Sequence, residues 1–469
     1  MTISVRPDVI DRLKTLAGPT GWSADPERLA PKLVEWRERW SGSTPILMLP
    51  KSTAEVAAIV SLCAETGTPV TVQGGNTGLV GGQIPQGEVL ISLERMHKVL
   101  EIDTFDEALT VQAGVTLAAA HEAALSARRR FPLGLASEGS CTIGGNVSTN
   151  AGGTAVLRFG NMRDLVLGLE AVMPDGRVWD GLVRPRKDNT GYDLKQLLCG
   201  AEGTLGIVTA ARLKLFPLPA SRAVAFVGAS NPRATLDLLA RARSDAGGSL
   251  EAFELMSDLG VDLVLRHAPN SRLPLEGRHP WYVLIEVTDA EPGGAERALE
   301  RILAAALEDG LADDAAIAQS DGQAAAFWAL RENQSAAQKS EGQAWKNDIS
   351  VPVSAIPEFL ELAGKAVSAF SPGVRFPTFG HVGDGNLHYD VLAPAGGDVA
   401  AHMAQRSEAT GIINAVVVAM GGSISAEHGI GVMKVDDALR YKDPVEIAAY
   451  RAIRASLDPK RIMNPRVLF

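Results

Sequence analysis

Residues 376–393, FPTFGHVGDGNLHYDVLA, set His381 and His388 seven positions apart around Asp384 and Asn386, with glycines at 380, 383 and 385. The whole chain has eight histidines. Two imidazoles flanking glycine-rich backbone can converge on one metal ion or divide metal binding from proton transfer. A polar turn leading into a strand with one satisfied core histidine accounts for this stretch alone equally well. Further on, AEHGIG (426–431) supplies Glu427 and His428. His381, His388 and Glu427 together offer two imidazoles and one carboxylate with positions left open, as a catalytic Zn²⁺ site requires. That donor set is softer than a Mg²⁺ site, and Mn²⁺ or Co²⁺ are conceivable replacements.

Three loops of a second kind precede these residues. VTVQGGNTGLVGGQ (70–83) runs from a β-rich segment into glycines whose bare N–H groups can surround phosphate oxygens. It lacks the spacing of the dinucleotide fingerprint and of the phosphate loop with its lysine. GSCTIGGNVSTNAGGTAVLRFGNMRDLV (139–166) adds Ser140, Thr142, Ser148, Thr149 and Asn150, with glycine pairs at 144–145 and 152–153. GAEGTLGIVTA (200–210) places a glycine every third residue before a strand. Turn chemistry alone does not call for three such loops, so they point to an extended ligand with a pyrophosphate.

The elements that must hold these groups can be read from the surrounding pattern. STAEVAAIVSLCAETG (52–67) has a serine start, Glu55 three residues on and apolar residues at helical spacing, which predicts a capped helix. Pro174-Asp175-Gly176 predicts a hairpin turn between two strands, and IVTAARLKL predicts another strand. From Ala223 onward, strand and helix patterns alternate in a way that suggests an antiparallel sheet with helices on one face. Arg331 and Ser335 stand one helical turn apart, so both can face one pocket, and Lys346 follows after the Gly342 break.

At 469 residues the chain exceeds one hydrophobic core. A division into 1–218, 219–422 and 423–469 is expected, with an α+β fold. A net charge of −10 argues against a nucleic-acid surface, and no run of about 18 apolar residues spans a membrane. The first residues lack an apolar secretory core, and Cys63, Cys141 and Cys199 form no CxxC pair. These features lead to the expectation of a reducing cytoplasm, with the cysteines as small buried hydrophobes.

The glycine loops together with NTGYDLKQLLCGAEGTLGIVTAARLKLFP resemble the FAD-binding domain of the vanillyl-alcohol-oxidase/PCMH flavoprotein superfamily. The histidine motif and AEHGIG…MK resemble its FAD-linked oxidase C-terminal family, and the likeness covers about residues 43–469. The resemblance implies a PCMH-type FAD-binding domain, an antiparallel-sheet substrate domain and a small C-terminal helical segment that completes the active site and flavin pocket. It implies non-covalent FAD contacted by Gly74, Gly75, Asn76, Thr77 and Gly78. Ser137, Ser140, Thr142, Gly144, Gly145, Asn146 and Asn150 match the next set of contacts, and Glu202, Gly203, Gly206, Ile207 and Asn464 the last. His97 and His121 lie outside these loops, so no tethering histidine is expected.

The resemblance supports His381, His388 and Glu427 as metal ligands and oxidation of a D-2-hydroxy acid, foremost D-2-hydroxyglutarate. A divalent ion could grip both carboxylate and hydroxyl of such a substrate and acidify the hydroxyl. His428 is expected as the general base, and Asn386, on the same strand face as His388, as a positioning residue for substrate or base. Arg331, Ser335 and Lys346 match the positions that grip a distal carboxylate, for which arginine is well shaped. The family more often has threonine where Ser335 stands, so D-malate could compete; D-lactate or glycolate oxidation is the nearest alternative activity. A silent FAD-binding electron-transfer subunit would not need the intact histidines. An electron-transfer flavoprotein or quinone pool is the expected acceptor, and a homodimer the expected assembly.

Overall fold

The computed structural model describes residues 4–182, 185 and 187–468. The chain divides into two compact units. The first comprises Met1–Gly153, Gly160–Pro217 and Glu427–Phe469, and the second Thr154–Phe159 and Leu218–Ala426.

In unit 1, a small sheet takes the strands Trp22–Ser23, Leu47–Met48, Val89–Ser92 and Val70–Gln73 in that order, the last three parallel. The helix Thr53–Thr66 covers it. Ser52 caps that helix by accepting from the Glu55 amide at 3.3 Å, and Gly67 ends it in the left-handed region at φ 65°. Its Val56, Ile59, Val60 and Cys63 pack with Val70, Val89 and Ile91 in one core, joined by Ile462 and Met463 from the far end of the sequence. Full burial of each such aliphatic side chain stabilises by about 1.5–3 kcal/mol. All three cysteines are buried and unbridged, and burial pushes the Cys63 thiol up to about 12, so the reading as inert hydrophobes stands.

A five-stranded antiparallel sheet completes unit 1, in the order Val99–Asp103, Ala108–Gln112, Ile207–Lys214, Val166–Val172 and Val178–Gly181. The last two strands form the hairpin foreseen from Pro174-Asp175-Gly176. Gly176 adopts φ 86° there, and the Asp175 carboxylate accepts from the Arg177 amide at 3.0 Å.

Unit 2 is built on a seven-stranded antiparallel sheet. Its order is Asp314–Ile317, Ser221–Ala229, Trp281–Asp289, Leu250–Ser257, Phe379–His381, Asn386–His388 and Asp348–Ser350. Val224, Phe226, Leu284 and Met256 share one face and pack with Val264, Phe327 and Leu330 from the helices Asp258–His267 and Asp321–Glu332. The alternate residues Ala225, Val227, Val283 and Ile285 are equally buried, and the helices Pro232–Ala246 and Gly294–Glu308 also lie against these strands. Both faces are therefore covered, where the sequence pattern suggested one, because the strands carry buried apolar residues at alternate positions facing both sides. Among the described residues, no helix is long and apolar enough to cross a membrane.

Candidate functional site

Unit 1 brings its glycine loops into contact. A Cβ on Gly75 would overlap the Ser140 carbonyl, one on Gly74 would overlap Thr142 Oγ1, and Gly144 lies equally close to Ala113. Only glycine permits these approaches. Asn76 sits in the left-handed region at φ 56°, with its side chain donating to the Pro31 and Val34 carbonyls at 3.0 and 2.9 Å. Among the described residues, the amides of Gly75, Asn76, Thr77 and Gly78 donate to no group of the protein. Four successive unspent N–H groups form a concave donor surface of the kind that takes phosphate oxygens, so these residues fit the pyrophosphate of FAD. Asn146 donates from its amide side chain to Cys141 Sγ at 3.6 Å, and Asn150, at φ 50°, accepts from the Arg163 amide at 2.9 Å.

Glu202 has a structural duty. At φ 50° it directs its two carboxylate oxygens at the Ile430 and Gly431 amides, each 2.8 Å away, while its carbonyl accepts from Asn464 Nδ2 at 2.8 Å. It thus pins the 430–431 turn, next to Glu427 and His428, to the loop that also carries Gly203 and Gly206. Glu427 Oε1 accepts from the Gly153 amide at 2.8 Å. Burial pushes the Glu202 carboxyl up to about 7 against the opposing pull of those two amides. A carboxyl whose folded pKa lies above its unfolded value favours folding when protonated. That contribution is full below pH 4.5, the ordinary value, and is lost as pH rises through about 7. Glu202→Gln is therefore expected to flatten the fall in melting temperature across this window, measured by thermal denaturation at either end. An unchanged slope in the variant would show that Glu202 does not titrate there.

Unit 2 sets His381, Asn386 and His388 along one sheet face. His381 stands opposite Glu254, and His388 opposite both Phe379 and Asp348. The two imidazoles lie 5.9 Å apart, centroid to centroid, in an edge-on arrangement. The turn between them needs glycine at 385, which adopts φ 88° and whose Cβ would overlap the Val351 carbonyl. Asn386 does share the His388 face: its Nδ2 donates to Asp348 Oδ1 at 3.0 Å and to the Ile349 carbonyl at 2.9 Å. Asn386 Oδ1 is buried without a hydrogen-bond partner.

The neighbours of these residues were not foreseen. His381 Nδ1 lies 2.7 Å from Glu254 Oε1, and its Nε2 lies 3.3 Å from Arg331 Nη2. Arg331 Nε donates to Glu254 Oε2 at 2.7 Å, and its guanidinium lies over the Phe379 ring. Burial raises the Glu254 carboxyl, but the His381 imidazole and the Arg331 guanidinium outweigh it and hold the group below the usual carboxylate range. His388 Nδ1 lies 3.9 Å from Asp348 Oδ1, so an imidazole and a carboxylate face one another there as a metal-competent pair. Lys346 Nζ donates to Asp390 Oδ2 at 2.7 Å and also to Gln338 Oε1. Ser335 is half-buried on its own short helix, Gln334–Lys339, because the chain breaks at Asn333 after the helix that carries Arg331. Sequence reasoning missed Glu254, Asp348 and Asp390. Asp390 could have been found two residues beyond His388, whereas Glu254 lies 127 positions before His381 and gives no local signal.

Comparison with known proteins finds two families along the chain. The family described as FAD linked oxidases, C-terminal domain, matches residues 218–468, and an FAD binding domain family matches residues 44–181. The chain belongs to the FAD-linked oxidases, a class of FAD-dependent oxidoreductases. Among individual proteins, it is 38% identical to a mitochondrial D-2-hydroxyglutarate dehydrogenase of Arabidopsis thaliana, across 97% of this chain and 80% of the relative. It is also 38% identical to the enzymes of that name from Bos taurus, mitochondrial, and Xanthomonas citri pv. viticola, over 94% and 93% of this chain and 80% and 91% of theirs. p-Cresol methylhydroxylase shares the fold, with a TM-score of 0.77 at 15% identity over 99% of this chain and 98% of that one. An alkyldihydroxyacetonephosphate synthase does so at 0.74 and 18%, over 99% and 85%.

The expectation of a cytoplasmic location does not stand, because the plant and bovine relatives are mitochondrial proteins. It rested on unpaired cysteines, which any reducing compartment tolerates.

Proposed function

We propose that this chain is an FAD- and divalent-metal-dependent dehydrogenase that oxidises a D-2-hydroxy acid to the 2-oxo acid, with D-2-hydroxyglutarate the first substrate to test and D-malate the nearest alternative. The observation that carries the reading is the row of imidazoles and carboxylates on one sheet face of unit 2, in a chain whose other unit offers a phosphate cradle. When bound, FAD supplies an acceptor at N5 for the hydride leaving the substrate Cα, and a divalent ion such as Zn²⁺ supplies Lewis acidity at the hydroxyl. His388 and Glu427 are the proposed core of the metal set. His381 completes it in the reading from sequence, and Asp348, facing His388, is an added donor. His428, adjacent to Glu427, takes the hydroxyl proton. Asn386 holds the substrate in register, and Arg331, Ser335 and Lys346 line the tail end.

FAD binding is proposed as non-covalent. His97 Nδ1 and His121 Nε2 each lie within hydrogen-bond reach of a backbone carbonyl, at 3.0 and 2.8 Å. Electrons leave to an electron-transfer flavoprotein or a quinone pool. The test is anaerobic addition of D-2-hydroxyglutarate to the FAD-loaded protein. The flavin absorbance is expected to bleach, chelation is expected to abolish bleaching while FAD stays bound, and Zn²⁺ is expected to restore it. Full bleaching in metal-free protein would remove the ion from the scheme. No bleaching by any D-2-hydroxy acid would remove the activity.

A further inference from the structure

The tail end of the proposed site contains two cations, and each already has a buried anion of its own. Arg331 is paired with Glu254 at 2.7 Å, and Lys346 with Asp390 at 2.7 Å. The Asp390 and Glu254 side chains are 3% and 1% exposed, so solvent screens neither pair well. The register places this second pair at the site. Asp348 stands opposite His388 and Trp345 opposite Val391, so Lys346 and Asp390 face one another one pleat along from His388. Two residues along a strand is about 7 Å, less than the length of a five-carbon substrate with its donors. An incoming carboxylate at that end would meet the Asp390 carboxylate on the same ammonium, and like charges in a shielded site repel.

We propose that Asp390 is a specificity-determining residue: it neutralises Lys346 and leaves the tail end of the site without net charge. The enzyme then oxidises 2-hydroxy acids with an uncharged polar tail at least as readily as 2-hydroxy diacids. This rests on the D-2-hydroxy acid reading above and extends its substrate class to acids with a neutral polar tail.

The test compares kcat/KM for D-2-hydroxyglutarate and its ω-amide, which match in shape and differ in tail charge, using FAD-loaded protein. Wild type is expected to turn over the amide at least as well as the diacid. Asp390→Asn releases the ammonium from its carboxylate and is expected to swing the ratio toward the diacid by about 10–100-fold, the range of one charge-assisted contact. A wild-type preference for the diacid of 100-fold or more (~3 kcal/mol) would overturn the proposal, as would a ratio unmoved in Asp390→Asn. The double variant Lys346→Gln with Asp390→Asn leaves no lone buried charge and guards against misfolding of the single one. Its ratio is expected to stay within about threefold of wild type, and a selective loss of diacid turnover of tenfold or more (~1.4 kcal/mol) would overturn the proposal. If neither compound bleaches the flavin of wild type, the hydroxy-acid reading fails and this inference falls with it.

Discussion

Arg331→Ala is expected to destabilise unit 2 by about 3–5 kcal/mol, the cost of removing one partner from a buried ion pair. The carboxylate it leaves behind, Glu254, lies in a central strand and is 1% exposed. Its remaining partner is the His381 imidazole, whose Nδ1 lies 2.7 Å from the carboxylate. The guanidinium also covers the Phe379 ring, so truncation opens a gap over an aromatic face. Chemical denaturation of wild type, Arg331→Ala and the double variant Arg331→Met with Glu254→Leu measures this. The double variant is expected to recover most of the loss, because no lone charge remains buried. A single variant within 1 kcal/mol (~fivefold in the folding equilibrium) of wild type would show that Arg331 is held for a ligand and not for the fold. The design also guards the substrate assignment: a variant that loses D-lactate and D-2-hydroxyglutarate turnover alike has lost its scaffold.

His428→Ala is expected to lower kcat by roughly 10²–10⁴-fold while FAD remains bound, the range for a positioned acid–base group. The residue follows Glu427, whose carboxylate accepts from the Gly153 amide, and precedes a turn fixed by the two bonds from Glu202. The bonds that the Gly153, Ile430 and Gly431 amides donate to Glu427 and Glu202 do not involve the His428 side chain and remain available in the variant. Single-turnover flavin reduction in wild type and variant, with FAD content measured by absorbance, separates the two roles. Loss of FAD with activity would make His428 structural, and unchanged reduction would assign the proton transfer elsewhere.

Local chemistry was legible in the sequence wherever one segment carried its own reason. The Thr53–Thr66 helix was marked by Ser52 and its apolar spacing, and the 166–181 hairpin by Pro174-Asp175-Gly176. The glycine loops were readable because a close backbone approach leaves no other residue type possible, as Gly75 against Ser140 shows. Two kinds of fact stayed hidden. Helix breaks without glycine or proline were one: Asn333 divides Arg331 from Ser335, and Gln405 divides 399–404 from 406–419. Cross-strand partners were the other. Glu254, Asp348 and Asp390 read as ordinary polar positions until the register sets each opposite a histidine or lysine. Pairing between distant strands depends on the whole sheet, so no window along the chain contains it.

Unit 1 draws its strands and loops from both sides of unit 2 in the sequence. The Val70 amide donates to the Ile462 carbonyl and the Asn464 amide to the Val70 carbonyl, both at 2.8 Å, so residues near 463 extend the edge of the small sheet beside Val70. During synthesis on the ribosome, the glycine loops emerge first, yet their sheet lacks this edge and the Glu202 turn lacks its partners until segment 427–468 has been made. Domains otherwise fold in order of emergence. Unit 2, whose sheet lies wholly within 218–426, can therefore be complete while the earlier-made loops still lack the partners that segment 427–468 supplies.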